Sequence, residues 1–302
     1  MAVTVTQLVA FLTVVRRGSV TAAAQELVVT QPSVSAAITA LERQVGVALM
    51  QRDGRTLRPT PAGVAYAPYA AHILGLLDQG ARAACEAADA SRKTLRISAV
   101  TTAGEYLVAP LLRAFREHHP ELEISLGVGN REQVFRWLIE HEMDVAITGR
   151  VFDDRQLSAR PFAANDFALI TAPGDPLAKR RTVALDELSS RSWLLREPGS
   201  GTRTVCEEYL ADHGLEPPIV TLGSNGAIKQ AVRADLGIAL QSRCAVQLEL
   251  DLGLLAAIRP EGGLPDRKWY VVCSNTGPVR DEVASFMDFV ESPVARRALA
   301  RA

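Results

Sequence analysis

Over 302 residues the sequence lacks any apolar run approaching the roughly 18 residues that a membrane-spanning helix needs. The opening Met1-Ala2-Val3-Thr4-Val5-Thr6-Gln7 has no positively charged region, so neither a signal peptide nor a membrane span is expected. Cysteine is scarce, and Cys85, Cys206, Cys244 and Cys273 stand far apart, without a C-x-x-C pair or a Cys/His spacing suited to zinc. A disulfide scaffold and a zinc module are thereby excluded, and a reduced cytoplasmic home fits best. Charge of one sign is missing too: 33 Lys+Arg against 34 Asp+Glu give a formal net charge of −1. Catalytic signatures are absent, with no G-x-S-x-G elbow and no H-E-x-x-H pair around His72, His118, His119, His141 or His213. Gly127-Val128-Gly129 is no dinucleotide fingerprint, because Glu132 holds the position of the third glycine. An enzyme is not expected. What remains is 48% apolar and 22% charged, ordinary globular usage for two or three domains.

The near-zero charge is an average over unlike parts. Residues 1–60 hold Arg16, Arg17, Arg43, Arg52, Arg55 and Arg58 against Glu26, Glu42 and Asp53, an excess of three cations at one end of the chain. Leu8, Phe11, Leu12 and Val15 repeat at helical spacing up to Arg16-Arg17-Gly18, cations and a glycine that suit a helix C-terminus. Ser19 then caps a short helix whose Ala22-Ala23-Ala24 run permits a close crossing. After a turn at Val28-Val29, Thr30 caps a third helix with Gln31 and Pro32 in its first turn and Gly46 as its stop. One face of that helix is apolar; the other presents Gln31, Ser33, Ser35, Ala36 and Thr39. Short hydrogen-bonding groups beside small apolar ones suit the edges of bases in a major groove. A solvated polar face of a three-helix bundle is the plainer alternative, and the order helix, turn, helix, basic hairpin argues against it. Arg43 flanks the helix, and Arg52, Arg55 and Arg58 surround a turn at Asp53-Gly54 in a short wing, placed to hold phosphates.

These residues carry a specific resemblance. The run Phe11-Leu12, Gly18-Ser19-Val20-Thr21-Ala22-Ala23-Ala24, Leu27, Thr30-Gln31-Pro32-Ser33-Val34-Ser35, Ile38, Leu41-Glu42, Val45-Gly46, Leu49, Arg52 and Thr60-Pro61-Ala62-Gly63 resembles the winged helix-turn-helix of LysR-type transcriptional regulators. Val20 and Met50 replace phenylalanines of that pattern at apolar positions. The resemblance places a DNA-binding domain at 1–60 with its helix-turn-helix at about 20–39. Ser19, Thr30, Gln31, Pro32, Ser33, Ser35, Ala36, Thr39, Arg43, Arg52, Arg55 and Arg58 are its candidate DNA-binding residues.

From Pro61 an alanine-rich stretch predicts one long helix over 61–92, interrupted only by Pro68 and two glycines. Tyr66, Tyr69, Ile73, Leu76, Leu77, Ala81 and Ala84 fall at spacings of three and four. Such a stripe needs a partner, and a second copy is the simplest, against packing on its own chain. The resemblance implies a homodimer, and a homotetramer of two dimers, on double-stranded promoter DNA with two-fold-related half-sites. It also implies RNA polymerase as a further partner, and no membrane.

Residues 93–302 alternate strands and helices. Strands are predicted at Leu95 to Val100, Glu123 to Val128 and Val145 to Thr148, with helices at Glu105 to His118 and Gln133 to Glu140 between them. That rhythm predicts a parallel sheet with helices on its faces. Further strands follow at Phe167 to Ala172, Trp193 to Leu195, Ile219 to Leu222, Gly237 to Gln241 and Trp269 to Cys273, before a helix at Val279 to Glu291. The whole is read as an α/β multidomain protein: winged helix-turn-helix, linker helix, and the two-lobed periplasmic-binding-protein-like (type II) effector domain that the resemblance implies. Crossings near Arg160 and Arg267 would divide lobe 1 (93–160 and 267–302) from lobe 2 (161–266).

Ligands of such domains bind where strand ends face the cleft. Thr101-Thr102, Asn130-Arg131 and Thr148-Gly149-Arg150 follow three strands. The loop Arg196-Glu197-Pro198-Gly199-Ser200-Gly201-Thr202-Arg203 sets two glycines, two hydroxyls and two guanidiniums at a helix start, which is anion-site chemistry. A glycine loop with surface arginines is the alternative for this segment taken singly. With Asn225, these are the candidate effector residues, and a carboxylate or phosphate is the expected ligand, with no cofactor or metal. This loop and Gly223-Ser224-Asn225-Gly226-Ala227-Ile228-Lys229-Gln230-Ala231-Val232 are similar to the CbbR-like branch that regulates RubisCO operons, although Gly226 stands where a Glu is common there. Cys206, behind the loop, is read as a small buried residue rather than a redox switch. The runner-up function is a small-molecule binding protein without DNA activity.

Overall fold

The computed structural model describes residues 3–53, 56–89, 93–151 and 153–300. Contacts divide the chain into two units, Met1–Ala90 with Ile139–Glu142, and Ser91–Leu138 with Met143–Ala302.

In the first unit, α1 (Val5–Arg17), α2 (Val20–Glu26) and α3 (Gln31–Val45) precede a hairpin of β1 (Met50–Asp53) and β2 (Thr56–Pro59), and α4 (Pro61–Ala88) follows. Each helix starts at a hydroxyl: Thr4, Ser19, Thr30 and Thr60 accept from the backbone N–H three residues on. Gly18 and Gly46 end α1 and α3 in the left-handed region, at φ 65° and 88°. The α2–α3 turn uses Val28 at φ 54°, a β-branched residue in a region favouring glycine, and 89% exposed. Phe11, Val14, Ala23, Val34, Ile38, Leu41 and Leu49 form the buried core. Gly63 lies so close to the hairpin that a Cβ would stand 2.0 Å from the Leu49 carbonyl oxygen, so only glycine fits.

The stripe on α4 divides in two. Tyr66, Ala67, Ala70 and Leu74 pack on the head, with Tyr66 and Phe11 rings 5.8 Å apart, so this part belongs to the chain's own core. Tyr69, Ile73 and Leu77 remain exposed. Pro68 sits within α4 on an exposed face beside exposed Val64, where water can take the carbonyl that the proline cannot serve.

The second unit has two lobes. In the first, β3 (Thr94–Val100), β4 (Glu123–Gly129), β5 (Val145–Thr148), β6 (Leu157–Ala164) and β12 (Lys268–Ser274) form one sheet in the order β4-β3-β5-β12-β6. Helices α5 (Thr101–Tyr106), α6 (Val108–Arg116), α7 (Arg131–Ile139), α12 (Asp281–Val290) and α13 (Pro293–Ala300) complete it, over a core that includes Ile97, Leu111, Phe115, Ile147, Val271 and Phe286. The sheet is mixed rather than wholly parallel: β3 pairs in parallel with β4 and β5, but returning β12 runs antiparallel to β5 and β6. The helix expected at Glu105 to His118 starts at Thr101 and breaks at Leu107, because Pro110 has no N–H to offer the Tyr106 carbonyl one turn back.

The second lobe contains β7 (Phe167–Thr171), α8 (Leu185–Ser189), β8 (Trp193–Arg196), α9 (Gly201–Asp212), β9 (Ile219–Leu222), α10 (Asn225–Arg233), β10 (Ala239–Ser242), α11 (Gln247–Asp251) and β11 (Ala256–Ile258). Strands pair as β10-β7-β11, antiparallel, and β8-β9, parallel. Buried Trp193, Leu195, Tyr209 and Leu240 lie on one side, Leu194, Ile228 and Val232 on the other.

The first crossing lies beyond the position expected at Arg160. Arg160 pairs with Val271 inside the first sheet, and the chain leaves that lobe at Asn165. β6 is an edge strand, and Pro161 pairs with Tyr270 next to the register shift at Trp269/Tyr270 that leaves Phe162 as the extra residue, so the proline does not end the strand. Outbound and returning chains run side by side, Asn165 N donating to the Arg267 carbonyl at 2.9 Å.

Candidate effector cleft and nucleic-acid interface

The polar face of α3 is built as expected. Gln31, Pro32, Ser33, Ser35, Ala36 and Thr39 are exposed while Val34, Ile38 and Leu41 are buried. Two of the candidates have structural duties: Ser19 caps α2, and Thr30 caps α3 and lies 2.8 Å from the Ser33 hydroxyl. Gln31 Nε2 donates to the Thr21 hydroxyl, so α2 braces this side chain. Glu42, which carries no site role in the sequence reading, accepts from Leu49 N and Met50 N at 2.8 and 3.0 Å and ties α3 to the wing.

The cations of the head are unequal. Arg16 and Arg17 both pair with Glu26, whose carboxyl is held below its usual range chiefly by the Arg17 hydrogen bond. Arg43 and Arg52 are exposed, and Arg58 pairs with Asp53 at 3.2 Å across the hairpin. The wing turn at Gly54 and Arg55 lies outside the described residues.

Between the lobes of the second unit lies a narrow cavity of about 40 Å³, partly open to solvent. Eleven of the expected residues line it: Thr101, Thr102, Asn130, Arg131, Thr148, Gly149, Arg150, Arg196, Ser200, Gly201 and Thr202. Glu197, Gly199, Arg203 and Asn225 do not. Unforeseen walls are Val100, Asn165, Phe167, Val205, Ser242 and Trp269. Asn165 follows β6 and Ser242 ends β10, and the two share a 2.6 Å hydrogen bond; the strand-end rule applied to these two strands would have found them. Gly149 allows a close approach, since a Cβ there would meet Asn165 Nδ2 at 2.9 Å.

The donors converge at the start of α9. Ser200 precedes the helix with no side-chain capping bond, so that end of the helix keeps its attraction for an anion. Thr202 follows, and its hydroxyl stands 3.5 Å from that of Thr102 on the opposite lobe. Arg131 is held below its ordinary pKa by burial and then by the Arg150 charge, with Glu208 opposing. Thr101 donates to the Gly129 carbonyl at 3.2 Å, and the Asn130 side chain accepts from Gln133 N, which starts α7.

The two guanidiniums of the glycine loop act differently from the sequence expectation. Arg196, 3% exposed, donates to both Glu197 oxygens at 2.7 and 2.8 Å and to Asn225 Oδ1 at 2.6 Å. Fully buried Asn225 passes this chain on, donating to Glu105 at 3.0 Å and Thr102 at 3.3 Å across the lobes. Arg203 donates to Glu207, the Arg196 carbonyl and Thr221. Glu197, Arg203 and Asn225 thus brace the cleft rather than line it, while Gly199, at φ 85°, shapes the loop. The spacing of residues in sequence shows how many charges gather but not which are already paired.

Burial pushes the Cys206 thiol up to about 12 and leaves it protonated at neutral pH. His118 and His213 donate from Nδ1 to carbonyls one turn back, at Ala114 and Tyr209, which fits helix-end capping rather than catalysis.

A winged helix-turn-helix followed by a two-lobed ligand-binding domain defines a ligand-responsive transcriptional regulator. The chain belongs to the LysR family: residues 5–64 match the bacterial regulatory helix-turn-helix of the lysR family, and residues 88–293 match the LysR substrate binding domain. It is 37% identical over 271 residues to the transcriptional regulator CfxR of Cupriavidus necator, covering 89% of this chain and 85% of that one. It is 31% identical over 302 residues to the RuBisCO operon transcriptional regulator of Allochromatium vinosum, covering 98% of each. Among solved structures, the regulatory domain of CcmR from Synechocystis PCC6803 in complex with 2-PG superimposes with a TM-score of 0.62 at 28% identity, over 66% of this chain and 96% of that one. The alternative of a binding protein without DNA function does not hold for a chain with this head.

Proposed function

We propose that this regulator senses a small anionic metabolite, phosphate- or carboxylate-bearing, held between the lobes of its effector domain. The observation that carries the reading is the meeting of an uncapped α9 start, the Thr102 and Thr202 hydroxyls, Arg131 and Arg150 around one cavity. Apolar walls from Phe167, Val205 and Trp269 limit the ligand to a compact molecule. 2-Phosphoglycolate, bound by the related CcmR domain, fits this chemistry and is the first compound to try.

On the head, Gln31, Ser33, Ser35, Ala36 and Thr39 read bases, and Arg43, Arg52, Arg55 and Arg58 hold phosphates. Tyr69, Ile73 and Leu77 on α4 meet a second copy, giving a homodimer, and two dimers a homotetramer, on promoter half-sites related by two-fold symmetry. Ligand binding biases the relation of the lobes and thereby the spacing of the heads. RNA polymerase is the downstream partner, and the cytoplasm the site of action; among the described residues no helix is long and apolar enough to cross a membrane.

Calorimetric titration of the full chain with 2-phosphoglycolate and with inorganic phosphate tests the cleft. Thr102→Ala and Arg131→Ala should each weaken binding by roughly ten-fold or more while basal DNA affinity holds. Undiminished binding by both variants would move the site elsewhere.

A further inference from the structure

The cavity-lining Arg150 has an anionic partner from the chain itself. Glu208, on α9, pairs through Oε1 with Arg150 and through Oε2 with Arg267, the latter at 3.0 Å. α9 therefore presents an anion-attracting start at Ser200–Thr202 and, two turns further on, a carboxylate that holds a cation of the same cavity. We infer that Glu208 is a built-in competitor for Arg150, an internal carboxylate that sets the concentration at which an anionic ligand fills the cleft. The inference rests on the anion-binding reading above and adds to it the residue that tunes affinity.

Three observations support an exchange rather than a fixed brace. The Arg150 and Glu208 side chains are 53% and 34% exposed, so their pair is water-screened and weak enough to be replaced. Glu208 is not left bare when Arg150 turns to a ligand, because Arg267, beside the returning crossing and outside the cavity lining, retains its other oxygen. The Glu208 charge is also felt at Arg131, where it opposes the repulsion from Arg150, so its pull on Arg150 is joined by a weaker one on a second lining cation. Glu105, Glu197 and Glu207 differ, Glu105 accepting from the fully buried Asn225. Glu197 is locked onto Arg196, which is almost wholly buried, and Glu207 serves Arg203, which does not line the cavity.

The test is titration of the full-length protein with inorganic phosphate at low ionic strength. Glu208→Gln should raise phosphate affinity roughly three- to ten-fold, with a smaller gain at high salt. Glu207→Gln removes the same charge one residue away and should change affinity by less than about two-fold. Arg267→Ala should act in the opposite direction, because Glu208 then has Arg150 as its cation. In an Arg150→Ala background most of the Glu208→Gln gain should vanish, leaving only the small part exerted through Arg131. An equal gain from Glu207→Gln, a gain undiminished by Arg150→Ala, or no gain at all would overturn the proposal. If Arg131→Ala and Arg150→Ala leave phosphate binding intact, the cleft reading itself fails, a result distinct from an unaltered affinity in Glu208→Gln alone. Failure of phosphate to bind either the parent protein or Glu208→Gln would overturn both.

Discussion

The DNA-reading face and the effector cleft use the same kinds of residue under opposite conditions. On α3 the candidate side chains project into water, and beyond Gln31 with Thr21 and Ser33 with Thr30 they have few commitments within the chain. In the cleft and the shell that braces it, the guanidiniums of three arginines are engaged: Arg196 with Glu197 and Asn225, Arg203 with Glu207, Arg150 with Glu208. An exposed face can wait for its partner because water satisfies its polar groups meanwhile. A half-buried cleft cannot, because an unpaired charge there loses hydration, so the fold supplies internal counter-ions. Substitutions in the two regions should therefore fail differently.

The largest effect is expected at Arg196→Ala, which leaves Glu197 and Asn225 without their main donor. Denaturant unfolding should show a loss of about 3 kcal/mol. A change of less than about 0.5 kcal/mol would return Arg196 to the status of a plain ligand contact. On the head the corresponding changes should leave stability alone. Ser33→Ala or Gln31→Ala should cost about 1–2 kcal/mol of discrimination at one base pair, read from affinities for a panel of operator variants. Arg58→Ala should weaken binding to all sequences alike and flatten the salt dependence by about one unit of slope, less its existing pairing with Asp53. If both kinds of change lower every affinity in parallel, α3 does not read bases.

Two smaller effects sharpen the contrast between local strain and burial. Val28→Gly should relieve the left-handed strain at an exposed site where little packing is lost, raising stability by up to about 1 kcal/mol in thermal unfolding. Cys206, with a thiol pushed up to about 12, stabilises the neutral form in the fold. Its contribution is complete below its unfolded pKa, near 9.0, and is lost as pH rises from there towards 12. Native protein should resist alkylation at Cys206 at neutral pH; rapid labelling before unfolding would contradict its burial.

The head was legible because its signals are local. Caps at Ser19, Thr30 and Thr60, stops at Gly18 and Gly46, and the apolar spacing of Val34, Ile38 and Leu41 act within a few residues of one another. Strand ends at Thr101, Asn130 and Thr148 were equally readable, since each follows a run of apolar residues. The break at Leu107 escapes the sequence pattern because Pro110 falls inside an apolar helical run, and the continuation of β6 past Arg160 to Ala164 escapes it because an edge strand tolerates Pro161.

The sequence by itself determined the family, the elements of the head, the parallel strands of the first lobe and most of the residues that line the cleft, because hydrophobic period, capping and turn chemistry are short-range. Only tertiary structure decided which charges are spoken for. Asn225 meets Thr102, and Glu208 meets Arg150 and Arg267, across separations no periodicity encodes. Those pairings depend on two lobes folding face to face, which brings distant parts of the chain together: fully buried Asn225 must find its partners there because water cannot reach it, whereas Glu208 meets its cations at a still hydrated rim.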